Sequence, residues 1–363
     1  MLPVRKIERE DVSLEQNLET PHIPVLLSEV LNFLNASKGH GVFVDGTFGA
    51  GGYSQAILEA ASDNRVLAID RDPSAILRGQ AVVAAYSERL KLVEGRFGNL
   101  AETVRENFSF EDGGYADGVV LDIGVSSMQI DDGERGFSFQ YDGPLDMRME
   151  QDGRSAASFV NEASEEELAD IFHYYGEERR ARAMARAIVQ DRVAEPFTTT
   201  RQLAALASRV IRADKGTHAA TRIFQALRIA VNDELGQLVQ ALYAAEQILR
   251  PGGRLVVVTF HSLEDRIVKQ FLANRSGKSR VISRFAPEVE KIAPSFMELQ
   301  RKPVVAQQDE LLKNPRARSA KLRVAVRTEA ASLAPVPAID LLASLPEKRT
   351  AQKIQSRVSK RRG

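Results

Sequence analysis

The chain has 363 residues, of which 44% are hydrophobic and 27% charged, the composition of a globular protein with one or two domains. Its 49 basic and 49 acidic residues balance, so no overall positive charge indicates nucleic-acid binding. The absence of cysteine excludes disulfides, zinc–thiolate sites and a cysteine nucleophile. No apolar run is as long as a membrane span and the first residues do not resemble a signal peptide, so we expect a cytoplasmic protein without membrane contact.

The first 34 residues divide into a polar arm and a short helix. Residues 1–20 are polar and mixed in charge, which predicts a flexible N-terminal arm. In residues 22–34 the apolar side chains recur at helical spacing, which predicts a short helix over one end of a sheet. His22, at the start of this stretch, is predicted to have a structural role.

The sequence VFVDGTFGAGGYS, residues 42–54, is typical of a buried strand that enters a glycine-rich turn and then a helix. Gly51 and Gly52 lie in that turn, and glycine lets a backbone bend sharply and approach a ligand closely. A helix that begins there presents free N–H groups and a partial positive charge. These features predict a nucleotide-type cofactor site in an open α/β sheet.

The same residues restrict the kind of cofactor. Ser54 stands where the dinucleotide fingerprint has its third glycine, and no Lys-Ser or Lys-Thr pair follows, as a P-loop would require. Asp45 closes the strand, where a carboxylate would repel a pyrophosphate and attract an ammonium group. A cationic cofactor without phosphates fits these residues, and S-adenosylmethionine is the common one. A glycine-rich turn that binds no ligand is the alternative.

Three short apolar runs predict further strands, over residues 65–70, 90–97 and 118–124. Asp70 ends the first, where an acid in a doubly wound fold accepts hydrogen bonds from a ribose; a helix cap is the alternative. Phe97 ends the second, where an aromatic ring either lies against an adenine or belongs to the core. Asp122 lies near the carboxyl end of the third, the end at which parallel sheets bind ligands.

The strand–helix alternation stops after Gly124. Residues 125–149 have no helical or strand period, but they contain aromatic residues, so an ordered loop over the cofactor site is predicted. Residues 131–218 are predicted to form a helical insertion in the α/β domain. Its arginine-rich surface is either an RNA-binding face or a solvated helix face. The arginines concerned are Arg179, Arg180, Arg182, Arg186 and Arg192.

The rest of the chain is predicted to complete the sheet. We expect one long amphipathic helix over residues 221–249 and strands over residues 254–260 and 320–327. His261 follows the first of these strands and is a candidate for substrate contact, with Ser262 as the cap of the next helix. Residues 329–363 are rich in alanine, proline and basic residues, which predicts a disordered basic tail that can follow a phosphate backbone.

Several long motifs within residues 22–328 together resemble one family. They include VDGTFGAGGYS, DIGVSSMQIDDGERGFSFQYDGPLDMRM, ATRIFQALRIAVNDEL and GGRLVVVTFHSLEDRIVKQF. The combination is similar to the bacterial 16S ribosomal RNA cytosine-N4 methyltransferases of the RsmH or MraW type. The chain departs from the family's pattern at Tyr53, where histidine is frequent, and at Ala219, where proline is usual.

The resemblance implies a class I, Rossmann-like methyltransferase sheet that uses S-adenosylmethionine and carries an inserted all-helical domain. Residues 21–130 and 219–328 would form the methyltransferase domain, and residues 131–218 would recognise the substrate. The implied reaction is methylation of the exocyclic N4 of a cytidine in the decoding region of 16S rRNA, with 16S rRNA or the small ribosomal subunit as partner. The expected cofactor contacts are Gly51, Gly52, Tyr53, Asp70, Phe97, Asp122 and Gln129.

The sequence assigns no metal ligand and no general base, and it leaves the oligomeric state open, with a homodimer as one candidate. Because the lone pair of a cytosine amine is delocalised into the ring, positioning is expected to dominate, with carbonyl or hydroxyl acceptors in residues 124–127 holding the amine. Two other functions are open. They are a small-molecule methyltransferase on the same fold, and a non-catalytic RNA-binding assembly factor.

Overall fold

A mixed seven-stranded β-sheet forms the centre of the protein, in a computed structural model that describes residues 24–108, 116–212, 218–278 and 293–346. Its strands are β1 (Val42–Asp45), β2 (Arg65–Asp70), β3 (Leu90–Glu94), β4 (Ala116–Asp122), β5 (Leu249–Thr259), β6 (Phe296–Glu298) and β7 (Lys321–Arg327). They lie in the order β3-β2-β1-β4-β5-β7-β6. Strands β1 to β5 are parallel, and β7 is antiparallel to both neighbours. The α/β class predicted from the sequence is confirmed.

Helices connect these strands and build a second, all-helical region. Those up to the end of β4 are α1 (Leu27–Leu34), α2 (Gly52–Ala60), α3 (Pro73–Tyr86) and α4 (Leu100–Asn107). Those between β4 and β5 are α5 (Ser127–Asp131), α6 (Ala156–Glu162), α7 (Glu165–Asp170), α8 (Ala181–Asp191), α9 (Thr200–Val210), α10 (Thr221–Asn232) and α11 (Glu234–Ile248). The last are α12 (Ser262–Arg275), α13 (Gln308–Lys313) and α14 (Pro337–Asp340).

Both faces of the sheet are covered by apolar side chains. On β4, Val119 and Leu121 point into one cluster, where they join Leu238 of α11 and Phe271 of α12. Val120, between them, points into the opposite cluster. This alternation follows from the two-residue period of a strand, and burial on both faces explains why the strand reads as a continuous apolar run.

A third cluster of buried side chains lies in the helical region, and it includes Phe172, Met184 and Leu203. Phe224 and Leu227 of α10 complete this cluster. A boundary at residue 219, as predicted, would therefore separate the helical core from six of its buried members: Ala219, Ala220, Ile223, Phe224, Ala226 and Leu227. Helix α10 belongs to both regions, since its Ile229 packs into the sheet cluster.

Two predicted elements differ in the structure. The single helix expected over residues 221–249 is two helices, α10 and α11, because Asp233 adopts the left-handed conformation with φ 47°. Strand β5 begins at Leu249 rather than at residue 254, with an irregularity in its pairing to β4. The hydrophobic period crosses both boundaries, so it could not mark either of them.

The predicted disordered tail is wrong for residues 329–346, which we call the strap. The strap contains α14 and packs on the sheet region, where Ile339 and Ala343 are 3% and 8% exposed. The predictions for residues 1–20, for His22 and for residues 347–363 lie outside the described residues. Within the described part of the chain, no helix is both long and apolar enough to span a membrane.

Candidate functional site

The carboxyl ends of β1, β2 and β4 meet at the glycine-rich turn. The Gly46 N–H donates to the Val120 carbonyl over 3.0 Å, and the Phe48 N–H donates to the Ile69 carbonyl over 2.9 Å. The Asp122 N–H donates to Thr47 Oγ1 over 2.7 Å. Three strands that are distant in sequence are thus joined through residues 46–48, at the edge where doubly wound sheets bind ligands.

Asp45, at the end of β1, is fully buried beneath this turn. Its carboxylate accepts hydrogen bonds from Ser54 Oγ at 2.7 Å and from the Thr47 N–H at 3.1 Å. Burial, with a smaller contribution from the nearby charge of Asp70, nevertheless raises the pKa of Asp45 from 3.8 to about 6. Two hydrogen bonds therefore do not fully compensate the lost hydration of this carboxylate.

The turn itself requires its glycines. Gly51 has φ 82°, and a Cβ at this position would lie 2.7 Å from the ring of Phe48. Gly51 is also the residue before α2, so the helix begins without a side-chain cap for the N–H groups of its first turn. A Cβ on Gly52 would collide with the ring of Pro24. Packing against Phe48 and Pro24 therefore requires both glycines, and their contact with a cofactor stays a prediction.

Tyr53, the second residue of α2, has a buried side chain that is already hydrogen-bonded within the protein. Its ring is buried in the cluster below the sheet, and its hydroxyl donates to the Val25 carbonyl. Burial also raises the pKa of the Tyr53 hydroxyl well above its usual value. Any contact between Tyr53 and a cofactor would therefore be made by its backbone.

Asp70 shapes the turn from the end of β2. One carboxylate oxygen accepts the Gly49 N–H at 2.7 Å and the other accepts the Asp72 N–H at 2.8 Å. Burial raises the pKa of Asp70. The alternative role of Asp70 as a helix cap is wrong, because Asp72 caps α3 by accepting from the Ser74 N–H at 2.9 Å.

Phe97 and Gln129 approach the turn from two other sides. Phe97 follows β3 in a 3₁₀ turn, and a Cβ on Gly46 would lie 3.4 Å from its Cβ. Gln129 lies on α5, where its Nε2 donates to Asp72 Oδ2 over 2.8 Å and its Oε1 accepts the Ser126 N–H over 3.0 Å. Its amide therefore ties the loop to the start of α3, and a cofactor contact by Gln129 stays a prediction.

Among the acids at this edge, Asp122 has the fewest interactions that would stabilise its negative charge. Its Oδ1 is buried and has no hydrogen-bond partner within the described residues. Burial raises the pKa of Asp122 well above its usual value, and the charges of Asp45 and Glu264 add to the effect. A cationic ligand at this edge would relieve the repulsion among these carboxylates.

The loop over residues 125–149 is ordered, as expected, although it contains the short helix α5. Arg135 anchors it: its NH1 donates to Asp72 Oδ2 over 2.9 Å and its NH2 to the Arg148 carbonyl over 2.9 Å. Asn232, at the end of α10, donates to the Met147 carbonyl over 2.8 Å. Sequence reasoning did not single out Asp72, Arg135 or Asn232, because their partners are 13 to 85 residues away in the chain.

A polar cavity of about 110 Å³ lies beside the β2 and β3 ends. Glu150 holds two arginines in its wall, accepting from Arg71 Nε at 2.8 Å and from Arg96 Nε at 2.6 Å. The Arg71 NH1 donates to the Asn232 carbonyl over 2.7 Å. This network joins β2, β3 and α10 next to Asp70.

Glu234, His261 and Glu264 lie close enough to be considered as metal ligands. Both oxygens of Glu234 accept from Arg228, at 2.8 and 2.9 Å. Glu264 Oε2 accepts the Phe260 N–H at 2.7 Å, and its Oε1 lies 2.8 Å from His261 Nε2. The cluster therefore anchors the start of α12, whose cap is His261 and not Ser262. With a guanidinium on Glu234, it does not fit a cation.

The arginine-rich surface of the helical region divides into two groups. Arg179, Arg180, Arg182 and Arg186 are exposed, as an RNA-binding face would require. Arg192 is half-buried, and its NH1 donates to the Val160 and Ala163 carbonyls over 2.9 and 2.8 Å. Arg192 therefore has a structural role and does not belong to the predicted RNA-binding face.

The sequence matches one known protein family over most of its length. Residues 19–328 match the MraW methylase family. The chain is 59% identical over 331 residues to the ribosomal RNA small subunit methyltransferase H of Methylobacterium nodulans, covering 90% of this chain and 96% of that protein. It is 56% identical over 320 residues to the protein of the same name from Parvibaculum lavamentivorans, covering 88% and 93%.

Among solved structures, the chain is similar to a putative methyltransferase from Streptococcus mutans in complex with SAH. The identity is 10% and the TM-score 0.38, over 84% of this chain and 99% of that one. In this chain, three carboxyl groups with raised pKa values surround the glycine turn, and their negative charges fit a cofactor with an ammonium and a sulfonium group. The chain belongs to the MraW methylase family and is an S-adenosylmethionine-dependent methyltransferase.

Proposed function

We propose that this protein methylates the exocyclic N4 of a cytidine in the decoding region of 16S rRNA, in the small ribosomal subunit. Membership of the MraW methylase family and the names of the relatives support ribosomal RNA of the small subunit as substrate. The cytosine N4 position and the decoding region rest on the resemblance of the long motifs.

The positions of three aspartates support the proposed chemistry. Asp45, Asp70 and Asp122 surround the turn at the carboxyl edge, and the pKa of each carboxyl is raised. When bound there, S-adenosylmethionine supplies an electrophilic methyl group next to its positive sulfur. Asp45 and Asp122 would stabilise the positive end of that molecule, Asp70 would accept hydrogen bonds from its ribose, and the N–H groups near Gly51 and Gly52 would bind at its other polar groups.

The acceptor amine would lie between the ends of β4 and β5. Residues 124–127 follow β4, and Gly124 faces Phe260, since a Cβ on Gly124 would lie 3.7 Å from its ring. Carbonyl or hydroxyl oxygens in residues 124–127 would accept a hydrogen bond from the amine and align it with the methyl group. We assign no general base; the amine proton leaves to water after the N–C bond has formed.

Ser126 has a second role that affects the test of this idea. Its hydroxyl caps α5 by accepting the Gln129 N–H at 3.2 Å, so Ser126→Ala would also loosen the loop. Ser127→Ala is therefore the more direct variant. Unchanged turnover of Ser127→Ala would exclude its hydroxyl as the acceptor.

The reaction is tested by mass mapping of small-subunit rRNA from cells with and without the gene. We expect loss of one methyl group on a decoding-region cytidine, and an unchanged cytidine pattern would contradict the proposal. Incubation with labelled cofactor and either small-subunit particles or metabolite pools separates the alternatives. Label in metabolites would indicate a small-molecule methyltransferase, whereas tight cofactor binding without transfer would indicate an assembly factor.

A further inference from the structure

A turn of π-helix, Ile171–Tyr175, continues α7 and ends at an unusual residue. The Glu178 N–H reaches back to donate to the Phe172 carbonyl over 3.0 Å, which closes the helix end. Glu177, just before it, adopts the left-handed conformation with φ 49°. Many helices end with a left-handed residue, but that residue is usually glycine, because a Cβ makes this conformation unfavourable. Glu177 therefore holds a position that would ordinarily belong to glycine.

The residue before Glu177 is a glycine for a different reason, which is space. A Cβ on Gly176 would lie 2.6 Å from the Arg222 carbonyl oxygen and 2.7 Å from the Phe172 carbonyl oxygen. The chain thus has glycine where packing requires it, and a long side chain at the next position, where the backbone conformation favours glycine. A side chain that is kept against such a preference indicates that the side chain itself has a task.

The Glu177 carboxylate connects the helical region to α12. It accepts from Ser262 Oγ at 2.5 Å and from Arg266 NH2 at 2.9 Å. These two side chains are four residues apart and therefore lie on one face of α12. Partial burial would raise the pKa of Glu177, but its hydrogen bonds and the charge of Arg266 lower the pKa overall. The bridging group at neutral pH is therefore the ionised carboxylate.

The same turn is fixed from two other sides. The Tyr175 carbonyl accepts from Gln225 Nε2 over 3.0 Å, which ties the turn to α10. Tyr175 Oη donates to the Ala343 carbonyl over 3.0 Å, which ties the turn to the strap. Glu177 thus extends from a backbone that is held in place, and a group on a rigid element can set a distance more precisely than one on a free loop.

The bridge from Glu177 lies beside the place proposed for the acceptor amine. Strand β5 ends at Thr259, and α12 begins three residues later at Ser262. Phe260, between them, faces Gly124 after β4. The bridge therefore joins the helical region to the same strand end that forms one wall of the acceptor site.

We propose that Glu177 is a positioning residue for methyl transfer. Acting through Ser262 and Arg266, it fixes the helical region against the end of β5 and so keeps the acceptor nucleotide in line with the methyl group. An error of about 1 Å in such an alignment can slow a reaction about 100-fold, so a bridge that adds little stability can still decide the rate. This inference rests on the proposed function, because it takes small-subunit rRNA as the acceptor.

The first test is Glu177→Gly in the full chain, assayed with labelled S-adenosylmethionine and small subunits from cells that lack the gene. Glycine suits the left-handed backbone and the lost ion pair is exposed, so the melting temperature should not fall. We expect kcat to fall at least about tenfold, with the KM for small subunits changed less than about threefold. Cofactor affinity should stay the same. An unchanged kcat would overturn the proposal.

Two further variants separate the bridge from other effects. Glu177→Gln keeps an oxygen that can accept from Ser262 and Arg266, so its kcat should stay within about threefold of the unchanged protein. His40→Gly is the matched control, because His40 is also left-handed, with φ 55°, and its side chain contacts Asp63 at the opposite edge of the sheet, before β1. This control should leave kcat unchanged. Equal losses in Glu177→Gly and His40→Gly would overturn the proposal, because any relaxed turn would then slow the enzyme.

A double-variant cycle tests whether Glu177 acts through α12. Arg266→Met removes the partner at 2.9 Å and should slow turnover in the same way. Because both changes break one bridge, the double variant Glu177→Gly, Arg266→Met should be no slower than Glu177→Gly alone. Losses in kcat that multiply would show two independent effects and would contradict the bridge.

A measurement without substrate tests the bridge directly. The chain has no cysteine, so Gln190→Cys on α8 and Lys269→Cys on α12 provide two exposed positions for spin labels. We expect one narrow distribution of label distances in this protein, and a broader one once Glu177→Gly is added. Identical distributions would overturn the proposal, because the helical region would then be fixed without Glu177.

The outcomes separate the inference from the function on which it rests. If the unchanged protein transfers no methyl group to small subunits, the proposed function fails, and the role of Glu177 in methyl transfer fails with it. If the unchanged protein methylates small subunits while Glu177→Gly keeps the full kcat, the inference alone is overturned.

Discussion

The buried carboxylate of Asp45 destabilises the folded protein without a ligand, and we expect it to stabilise a bound cationic cofactor. Its folded-state pKa of about 6 lies above the ordinary value of 3.8, so the folded protein binds a proton more tightly than the unfolded chain between these pH values. Stability therefore falls as the pH rises through this range, and above about pH 6 the ionised carboxylate destabilises the fold. A difference of two pKa units corresponds to about 3 kcal/mol.

We expect Asp45→Asn to raise the free energy of unfolding at pH 8, by up to about 3 kcal/mol, and to weaken cofactor binding. The amide keeps the shape and can still accept from the Thr47 N–H while donating to Ser54 Oγ. Urea unfolding and calorimetric titration with S-adenosylmethionine measure the two effects. Asp309→Asn, on exposed α13, is the control and should change neither. A variant that binds the cofactor normally would contradict this account of Asp45.

Cofactor affinity should depend on pH in the same range. A cationic cofactor favours the ionised carboxylates, so its affinity is expected to fall as the pH decreases from 8 to 5. In Asp45→Asn the decrease should be smaller but not absent, because the pKa values of Asp70 and Asp122 are also raised. Affinity that does not vary over this range would show that none of these carboxylates titrates on binding.

The site residues that were predicted from the sequence share one property. Gly51, Asp70 and Asp122 lie at strand ends within a strand–turn–helix pattern, so their neighbours are set by local rules. Asn232 and Glu150 also make hydrogen bonds beside the site. Asn232 contacts Met147, 85 residues away in the sequence, and Glu150 contacts Arg71, 79 residues away. Only the folded chain brings such partners together, and their positions carry no local pattern.

At the scale of elements, the buried ion pair between α11 and α12 holds the strap in place. Glu246 and Arg275 are each 1% exposed, with Arg275 Nε donating to Glu246 Oε2 over 2.8 Å. The guanidinium also donates to the Leu333 and Ala334 carbonyls over 3.3 and 3.1 Å. Two helices and the strap thus depend on one pair of charges.

We expect Glu246→Ala to lower the free energy of unfolding by about 3–5 kcal/mol, because it leaves the Arg275 charge buried without its partner. The double variant Glu246→Leu, Arg275→Met should lose less, since it leaves no buried charge. Denaturant unfolding of the three proteins measures this. If the double variant were the least stable, the bonds of Arg275 to the strap would outweigh the ion pair.

The junction of α10 and α11 shows what a hydrophobic period can and cannot predict. Apolar residues continue at helical spacing from residue 221 to 249, which gave the correct structure type. The break occurs at Asp233, a residue that tolerates the left-handed conformation without the glycine or proline that usually marks a break. After this turn the side chains of α11 pack in the sheet cluster, a tertiary contact that the local sequence does not express.

At the scale of the whole molecule, the predicted division into two domains is less sharp than the sequence indicated. Helix α10 contributes Leu227 to the helical cluster and Ile229 to the sheet cluster, and Tyr175 packs against both. The strap adds a further connection through Leu345. Charge and composition could not reveal this connection, because residues 329–346 look like a tail until their contacts are known.

These shared elements predict that the sheet and helical regions unfold together. Calorimetry should give one transition with a ratio of calorimetric to van't Hoff enthalpy near one. S-adenosylmethionine at 100 times its dissociation constant should add about 2.7 kcal/mol and move the whole transition to higher temperature. Two transitions, of which the cofactor moves only one, would show instead that α10, Tyr175 and the strap do not couple the regions. The helical region could then reorient on rRNA without disturbing the cofactor site.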